Sequence, residues 1–533
     1  MPKKDIYTNF NWKFPYPSQR MPILAKNIVS TSQPLASQAG LRMLLKGGNA
    51  IDAAIACAIA LTVVEPTMNG IGSDAFAIVW DGKELNGLNA SGRSPKAWTP
   101  EYFSKYKKMP LLGWDTVTVP GAVSAWVALS ERFGKLPFKE LFKPAIEYAK
   151  NGFLVSPITA QAWGFARTFF KKFPDFVDCF LPNGKAPKAG SVFSNPSQAQ
   201  TLKLISETNG EAFYRGELAK KIVKYAEKTG GLITLEDLNN HKVDWVKPIS
   251  IKYKNIVLHE IPPNGQGIAA LMALGFLKYG NLQDYNIDSA DSLHIQLEAM
   301  KLAFADVYRY VSDPSTMEFD YSHLLDSEYL AKRANLIGLK KAKDFKFGTP
   351  KFGDTVYLTT ADADGMMVSY IQSNYMFFGS GIVVPGTGIS FQNRGMGFTL
   401  EEGHPNQVGP NKRPFHTIIP AFVTQNNKPL ISFGVMGGPM QPQGHIQMII
   451  RIFDYSQNPQ AASDAPRWQV LGGLNVGVEE GFKPEVLKEL SQHGHKIMKQ
   501  SSMNFGGAQI IYKLKEGYLA ASDHRKDGQA VGF

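Results

Sequence analysis

Gly353-Asp354-Thr355-Val356-Tyr357-Leu358-Thr359-Thr360-Ala361-Asp362-Ala363-Asp364-Gly365 is the stretch on which the reading of this chain turns. Thr355 heads a run of strand-forming residues. Asp362-Ala-Asp-Gly365 reads as a tight turn, and a second strand is predicted over 366–373. A threonine hydroxyl is a weak nucleophile until a base stands beside it. A cut between Asp354 and Thr355 would supply that base, because the freed α-amino group belongs to the same residue. Without a cut, Thr355 is an ordinary strand residue, for which threonine is common. Thr359 and Thr360 lie inside the same strand and would not become N-terminal, so both read as strand residues.

Outward from this stretch the chain is mixed α/β. Helices are predicted over 33–45, 121–132, 138–151, 198–207, 217–229 and 289–312, with Asn49 capping an apolar helix that runs to about Val64. A strand over 75–80 follows the glycine-rich turn Asn69-Gly-Ile-Gly-Ser-Asp74. The last third is strand-rich, with glycine-heavy turns such as Gly434-Val-Met-Gly-Gly438. The charged segment 340–351 lacks apolar periodicity and is expected to be exposed.

Composition bounds the classes. The 533 residues are 44% hydrophobic and 19% charged, which describes a folded globular protein able to bury a large core. Cys57 and Cys179 are the two cysteines, too few for a disulfide framework or a CxxC metal site. No secretory signal or membrane span is visible, so a cytoplasmic protein is expected. The net charge of +11 is dispersed, with no basic run and no nucleic-acid module; an acidic small substrate suits it better. No G-x-G-x-x-G follows a strand, so no dinucleotide cofactor is expected. His493-Gly-His495 has no HExxH or Cys/His company and reads as a polar turn, so no metal is expected either.

Nine ordered segments carry more. Gly48-Asn-Ala-Ile-Asp-Ala-Ala54, Val64-Glu-Pro-Thr-Met-Asn-Gly-Ile-Gly72, Thr118-Val-Pro-Gly-Ala-Val-Ser-Ala-Trp126 and Pro144-Ala-Ile come first. Gly230-Gly-Leu-Ile-Thr-Leu-Glu-Asp-Leu238 and Pro262-Pro-Asn-Gly-Gln-Gly267 follow. Gly409-Pro-Asn-Lys-Arg-Pro414, Gly437-Gly438 and Ala521-Ser-Asp-His-Arg525 come last. Together they resemble the γ-glutamyltranspeptidase family of N-terminal-nucleophile hydrolases, over nearly the whole chain. The resemblance implies an αββα sandwich, made as a precursor that cuts itself between Asp354 and Thr355. A large piece, 1–354, and a small piece, 355–533, would then stay associated as one catalytic unit. It places the nucleophile on Thr355, its hydroxyl partner on Ser373, and an asparagine on or next to Asn374. The oxyanion-hole glycines fall on Gly437 and Gly438, and the arginine for the substrate's carboxylate falls on Arg93.

The departures are informative. Arg394 and Gly397 stand where the family carries an amide and an aspartate, and His416 and Thr417 stand where paired serines are expected. The stretch from Phe398 to Gly409 is short where many relatives carry a lid. These features look more like the branch with glutaryl and cephalosporin acylases. The leading expectation is hydrolysis of γ-glutamyl amides such as glutathione, with weak transfer to amines. A glutaryl-type or other dicarboxylic-acyl acylase is the runner-up, and an uncut, binding-only relative is the non-catalytic reading.

Overall fold

The structure is a computed structural model that describes residues 20–280, 282–345 and 354–533, with Asp354 described by its backbone alone. The basic N-terminal residues and positions 346–353 lie outside the described residues, so only 340–345 of the charged segment is seen, largely exposed.

The quoted stretch forms the expected hairpin. Strands Asp354–Ala361 and Met367–Tyr375 pair antiparallel. Gly365 takes a φ of 99° in the turn between them, a conformation glycine adopts without strain. This hairpin lies at the centre of a seven-stranded antiparallel sheet, flanked by Ile28–Thr31 on one side and Asp74–Trp80 on the other. A second seven-stranded antiparallel sheet stacks on the first; Lys428–Val435 is its middle strand, between Ala508–Lys513 and Ala421–Gln425.

Burial explains the stacking. Central strands are covered on both faces, and Met367–Tyr375 is buried throughout, its polar Ser369, Gln372, Ser373 and Asn374 included. One face, with Val356, Leu358, Val368 and Tyr370, packs on helices Pro34–Leu45, Ala50–Val64 and Phe138–Asn151. The other face, with Tyr357, Ala361, Met367 and Ile371, packs on Phe422 and Ile511 of the second sheet. That sheet's outer face, with Val423 and Phe433, packs on helices Gly267–Leu277, Ala290–Tyr310 and Met440–Phe453. Three cores between four layers make the αββα sandwich. Helix Ala50–Val64 is apolar all round because it lies inside a layer; Asn49 and Asp52 close a capping box at its start. The other helices begin and end within two residues of their expected positions. Among the described residues no helix is long and apolar enough to cross a membrane.

The Ala521-Ser-Asp-His-Arg525 segment has a structural reason. Asp523 accepts from Arg467 Nη2 at 2.5 Å, from Arg525 Nη1 at 3.1 Å and from the Ala508 N–H at 2.6 Å. Arg525 also reaches Glu479 at 2.5 Å, and all four charged side chains are buried. Burial works to raise the Asp523 carboxyl, but Arg467 and Arg525 outweigh it and hold it far below the usual carboxylate range. A folded value below the unfolded value of about 3.9 stabilises the fold above that pH and is lost as pH falls. Asp523→Ala leaves Arg467 buried without its anion and should cost about 3–5 kcal/mol at pH 7. Urea denaturation of wild type and variant should show that gap narrowing towards pH 3. Equal midpoints at pH 7 would show the cluster to be neutral.

Candidate active site

Thr355 is held in place by two side chains from different elements. Its Oγ1 donates to Ser373 Oγ at 3.3 Å and accepts from Gln441 Nε2 at 3.3 Å. Ser373 arrives through an irregularity in the strand pair. Asp354 pairs with Tyr375 and Val356 with Gln372, so Ser373 and Asn374 together oppose the single residue Thr355. That is the geometry of a β-bulge, which redirects side chains locally. Tyr375, at the bulge, has a φ of 78°, and its N–H donates to Ser373 Oγ at 2.7 Å. Thr355 is only 1% exposed, and Gln441 is the second residue of helix Met440–Phe453. Thr359 and Thr360 are spent elsewhere, on Ser432 Oγ at 2.6 Å and on the Ala50 carbonyl at 2.7 Å.

Gly437 and Gly438, just ahead of that helix, have φ values of 114° and 58°. Among the described residues neither N–H is engaged in a backbone hydrogen bond. Gln266 braces this turn, donating to the Gly438 carbonyl at 2.8 Å and the Thr417 carbonyl at 2.6 Å. One side chain thus couples the glycine pair to the segment that carries Thr417.

A cavity of about 720 Å³ opens beside these elements, and Tyr375, Gly397, Thr417 and Pro439 are in its wall. Tyr375 lies two residues from Ser373 and Pro439 two from Gln441, so the groups around Thr355 and the cavity wall share the same two segments. Met396, Phe398, Tyr308 and Phe415 give the wall an apolar and aromatic part, while Lys107 and Lys108 stand exposed at its edge. The short 398–409 stretch still borders the cavity. Thr399 and Val408 pair across it, and Leu400, Glu401 and His404 face the opening.

Behind the wall is a buried charge cluster. Arg394 is 1% exposed; its Nη1 donates to Thr417 Oγ1 at 2.8 Å, and its guanidinium lies 4.7 Å from the Tyr375 ring centroid. Its Nε and Nη2 have no hydrogen-bond partner. Two unmade bonds on a buried cation are costly. His416 lies deeper. The Ile418 N–H donates to its Nδ1 at 3.3 Å, so Nε2 carries the proton and donates to Asp74 Oδ2 at 3.2 Å. Asp74 also accepts from the Gly92 and Gly121 N–H groups. Burial pushes its carboxyl up to about 7, against the pull of Arg394, and burial with Arg394 nearby holds His416 well below its ordinary value.

Thr355, Ser373, Gln441 and the glycine pair are thus gathered at one place, with Arg394 and Thr417 beside the adjoining cavity. Three expected residues are placed otherwise. Arg93 is outside the cavity: its guanidinium is 44% exposed and bound to Asp313 at 2.9 Å. Asp313 also receives the Arg413 N–H, so in this structure Arg93 props the 411–413 segment. Asn374 points to the far side of the bulge. Its amide is taken by Ser73 at 2.8 Å, by the Phe378 carbonyl and by Ser390, and its neighbour Tyr375 is the residue that reaches the cavity. His416 is fully buried and supports Asp74 from behind the wall. Gln441, Gln266, Asp74 and Tyr375 were not singled out from sequence. Gln266 and Gln441 each lie within three residues of a glycine of a quoted motif, which is the signal that could have found them.

The family model described as gamma-glutamyltranspeptidase matches residues 36–533. The chain is 36% identical over 521 residues to a glutathione hydrolase-like YwrD proenzyme from Bacillus subtilis, covering 95% of this chain and 98% of that one. It is 31% identical over 529 residues to an acylase ACY 1 proenzyme from a Pseudomonas species, covering 96% and 94%. Among solved structures, a cephalosporin acylase from Bacillus halodurans matches with a TM-score of 0.95 and 49% identity, covering 98% and 99% of the two chains. The matched length and the shared fold make this chain a member of the γ-glutamyltranspeptidase family, a threonine N-terminal-nucleophile hydrolase proenzyme.

Proposed function

We propose that this enzyme hydrolyses amides of short dicarboxylic acids, with Arg394 receiving the distal carboxylate and Thr355 attacking the amide carbonyl. The observation that carries this is the buried guanidinium with two unpartnered N–H donors behind Thr417 and Tyr375. A bidentate guanidinium–carboxylate contact would complete it. Among the described residues the acidic side chain bordering the cavity is Glu401, exposed at the rim, and no buried carboxylate in the wall faces an α-ammonium. That favours glutaryl-type acyl groups. The second reading, γ-glutamyl amides such as glutathione, is supported by the likeness to a glutathione hydrolase-like proenzyme.

The chemistry runs in two stages. Thr355 Oγ adds to the Asp354 carbonyl, the acyl group passes from nitrogen to oxygen, and water cleaves the ester, leaving fragments 1–354 and 355–533. The freed Thr355 amine then accepts the hydroxyl proton as Oγ attacks a substrate amide. The leaving amine takes that proton, and water releases the acid. Gly437 and Gly438 N–H groups would stabilise the tetrahedral oxyanion, and Ser373 and Gln441 orient Oγ.

Thr355→Ala should leave a single intact chain and no amidase activity, while Thr355→Ser should retain some of both. Intact-mass measurement checks the first; a fragment beginning at residue 355 in the alanine variant would overturn self-cleavage. Matched glutaryl and γ-glutamyl anilides test selectivity. Arg394→Gln should lower kcat/KM on both by about 10- to 150-fold, the equivalent of about 1.5–3 kcal/mol, and leave a butyryl anilide unchanged. A γ-glutamyl preference of about a hundredfold in the unmodified enzyme would reverse the order of the two readings. Gly397→Asp is not a clean probe, because a Cβ there would meet the Phe415 carbonyl at 2.5 Å.

The two titrations should separate. kcat should rise as the Thr355 amine deprotonates, near about 7.7–8.0 for a model amine. KM for a carboxylate substrate should rise through about pH 7, as Asp74 gains its charge beside Arg394 and offsets it. Asp74→Asn should abolish the KM step and keep the kcat limb. A KM step of unchanged size in that variant would assign it to another group.

A further inference from the structure

Helix Ala290–Tyr310 lines the cavity with Tyr308 near its end, while its first half shares with the end of helix Pro484–Gln492 a face crowded with imidazoles and carboxylates. Asp291, His294 and Glu298 follow one another at spacings of three and four, so they form one stripe of the helix. His493 and His495 pack against it from either side of Gly494, their ring centroids 4.9 and 5.0 Å from that of His294.

The cluster divides in two. His294 Nε2 must donate to the Gly338 carbonyl, 2.7 Å away, since a carbonyl only accepts. Its Nδ1 therefore accepts from His495 Nε2 at 2.8 Å. Glu298 is spent on Lys301 and on the Lys343 N–H. Apart from His495 Nδ1 that half is satisfied internally, and Lys301 would repel a cation. The other half is not satisfied. His493 Nε2 and Asp291 Oδ1 are 3.9 Å apart, too far for a hydrogen bond, and a Glu489 oxygen completes a set of ligand atoms all within 4.8 Å of one another. Asp291 Oδ1, His493 Nδ1 and His495 Nδ1 are buried without hydrogen-bond partners. Asp291 Oδ1 is thus an unpartnered buried acceptor within the ligand set itself, and His493 is the buried imidazole beside it.

We propose that Asp291, Glu489 and His493 bind one divalent transition-metal ion, zinc above all, and that the ion clasps together the two fragments of the cut chain. One imidazole and two carboxylates offset the dication and are a ligand set zinc accepts, with water completing a tetrahedron. Ligand atoms around such an ion stand about 3.3–3.5 Å apart, given bonds of about 2.0–2.2 Å. The site has to contract by about an ångström, and the exposed Glu489 side chain has the freedom to do it. His493 is 8% exposed and fixed by its surroundings, so it would be the rigid member.

The clasp rests on the proposed cut at Asp354–Thr355. Asp291 lies before that bond, and Glu489 and His493 lie after it. The last described residues ahead of the cut are fastened here too: the Ala342 N–H donates to the His493 carbonyl at 2.7 Å, and Lys301 Nζ to the Lys343 carbonyl at 2.7 Å. An ion at this point would hold the tail of the large fragment where it lies before cleavage.

Tag-free protein stripped by chelator and dialysed against Zn²⁺ should take up one equivalent by elemental analysis, and Co²⁺ should give visible d–d absorption. Glu489→Gln, an exposed change that should not disturb folding, and Asp291→Asn should each weaken binding by about tenfold or more. No stoichiometric uptake, or equal uptake by wild type and both variants, would overturn the site. Thr355→Ala separates the two parts of the inference. Metal binding by this uncut chain upholds the site whatever becomes of the cleavage proposal. The clasp predicts that Zn²⁺ slows dissociation of the fragments of cut wild type in mild urea, and that Glu489→Gln removes this effect. Dissociation unchanged by Zn²⁺ would overturn the clasp.

Discussion

Everything at the site depends on one register shift. Strands Asp354–Ala361 and Met367–Tyr375 pair residue for residue from Val356 to Ala361, then slip at the end where Thr355 lies. An undisturbed pair would give Thr355 one partner. With the bulge, Ser373 turns its hydroxyl to Thr355, Asn374 turns its amide into the loops at Ser73 and Ser390, and Tyr375 reaches the cavity. A central strand cannot move to admit such a rearrangement, because both neighbours and both faces are covered. The bulge therefore sits at the strand's end, where the ladder stops, and Thr355 at the head of its strand is held rigidly close to the wall at Tyr375.

The second constraint is electrostatic. Arg394, Asp74 and His416 are all fully buried, and burying charge is unfavourable unless partners replace water. Asp74 has three N–H donors, counting His416, while Arg394 has one hydrogen bond and an aromatic face. The imbalance falls on the cation, on the side of the cluster nearer the cavity. A fold optimised for stability alone would have paired it. Gln266, gripping both the Thr417 and Gly438 carbonyls, fixes the distance between the segment beside Arg394 and the glycine pair.

The sequence made some of this legible and not the rest, for physical reasons. The hairpin, the capped apolar helix after Asn49 and most helix positions follow from local pattern, since periodicity and caps are encoded within a few residues. Thr355 and the glycine pair were legible through ordered motifs. The substrate side was not. Arg93 matched a motif, but its partner Asp313 lies 220 residues away, and only the fold shows that the guanidinium is already occupied. Tyr375 was missed beside Asn374 because a bulge reverses which of two adjacent residues faces the site, and a period of two cannot signal it. His493-Gly-His495 does lie at a turn as expected, but its companions Asp291 and His294, about 200 residues upstream, could not be read beside it.

The same topology bears on what a cut would do. The residues after Asp354 supply the two central strands of one sheet and four strands of the other, including its middle strand. Ile28–Thr31, from the first part of the chain, pairs with Asp354–Ala361 on one side and Gln529–Gly532 on the other, while Asp74–Trp80 pairs with Met367–Tyr375. Neither part could close a sheet or cover its core without the other. Breaking one peptide bond at the edge of such an arrangement removes none of these ladders. It frees an amine at the one residue whose hydroxyl is already aimed, and the chemistry is switched on with the scaffold unchanged.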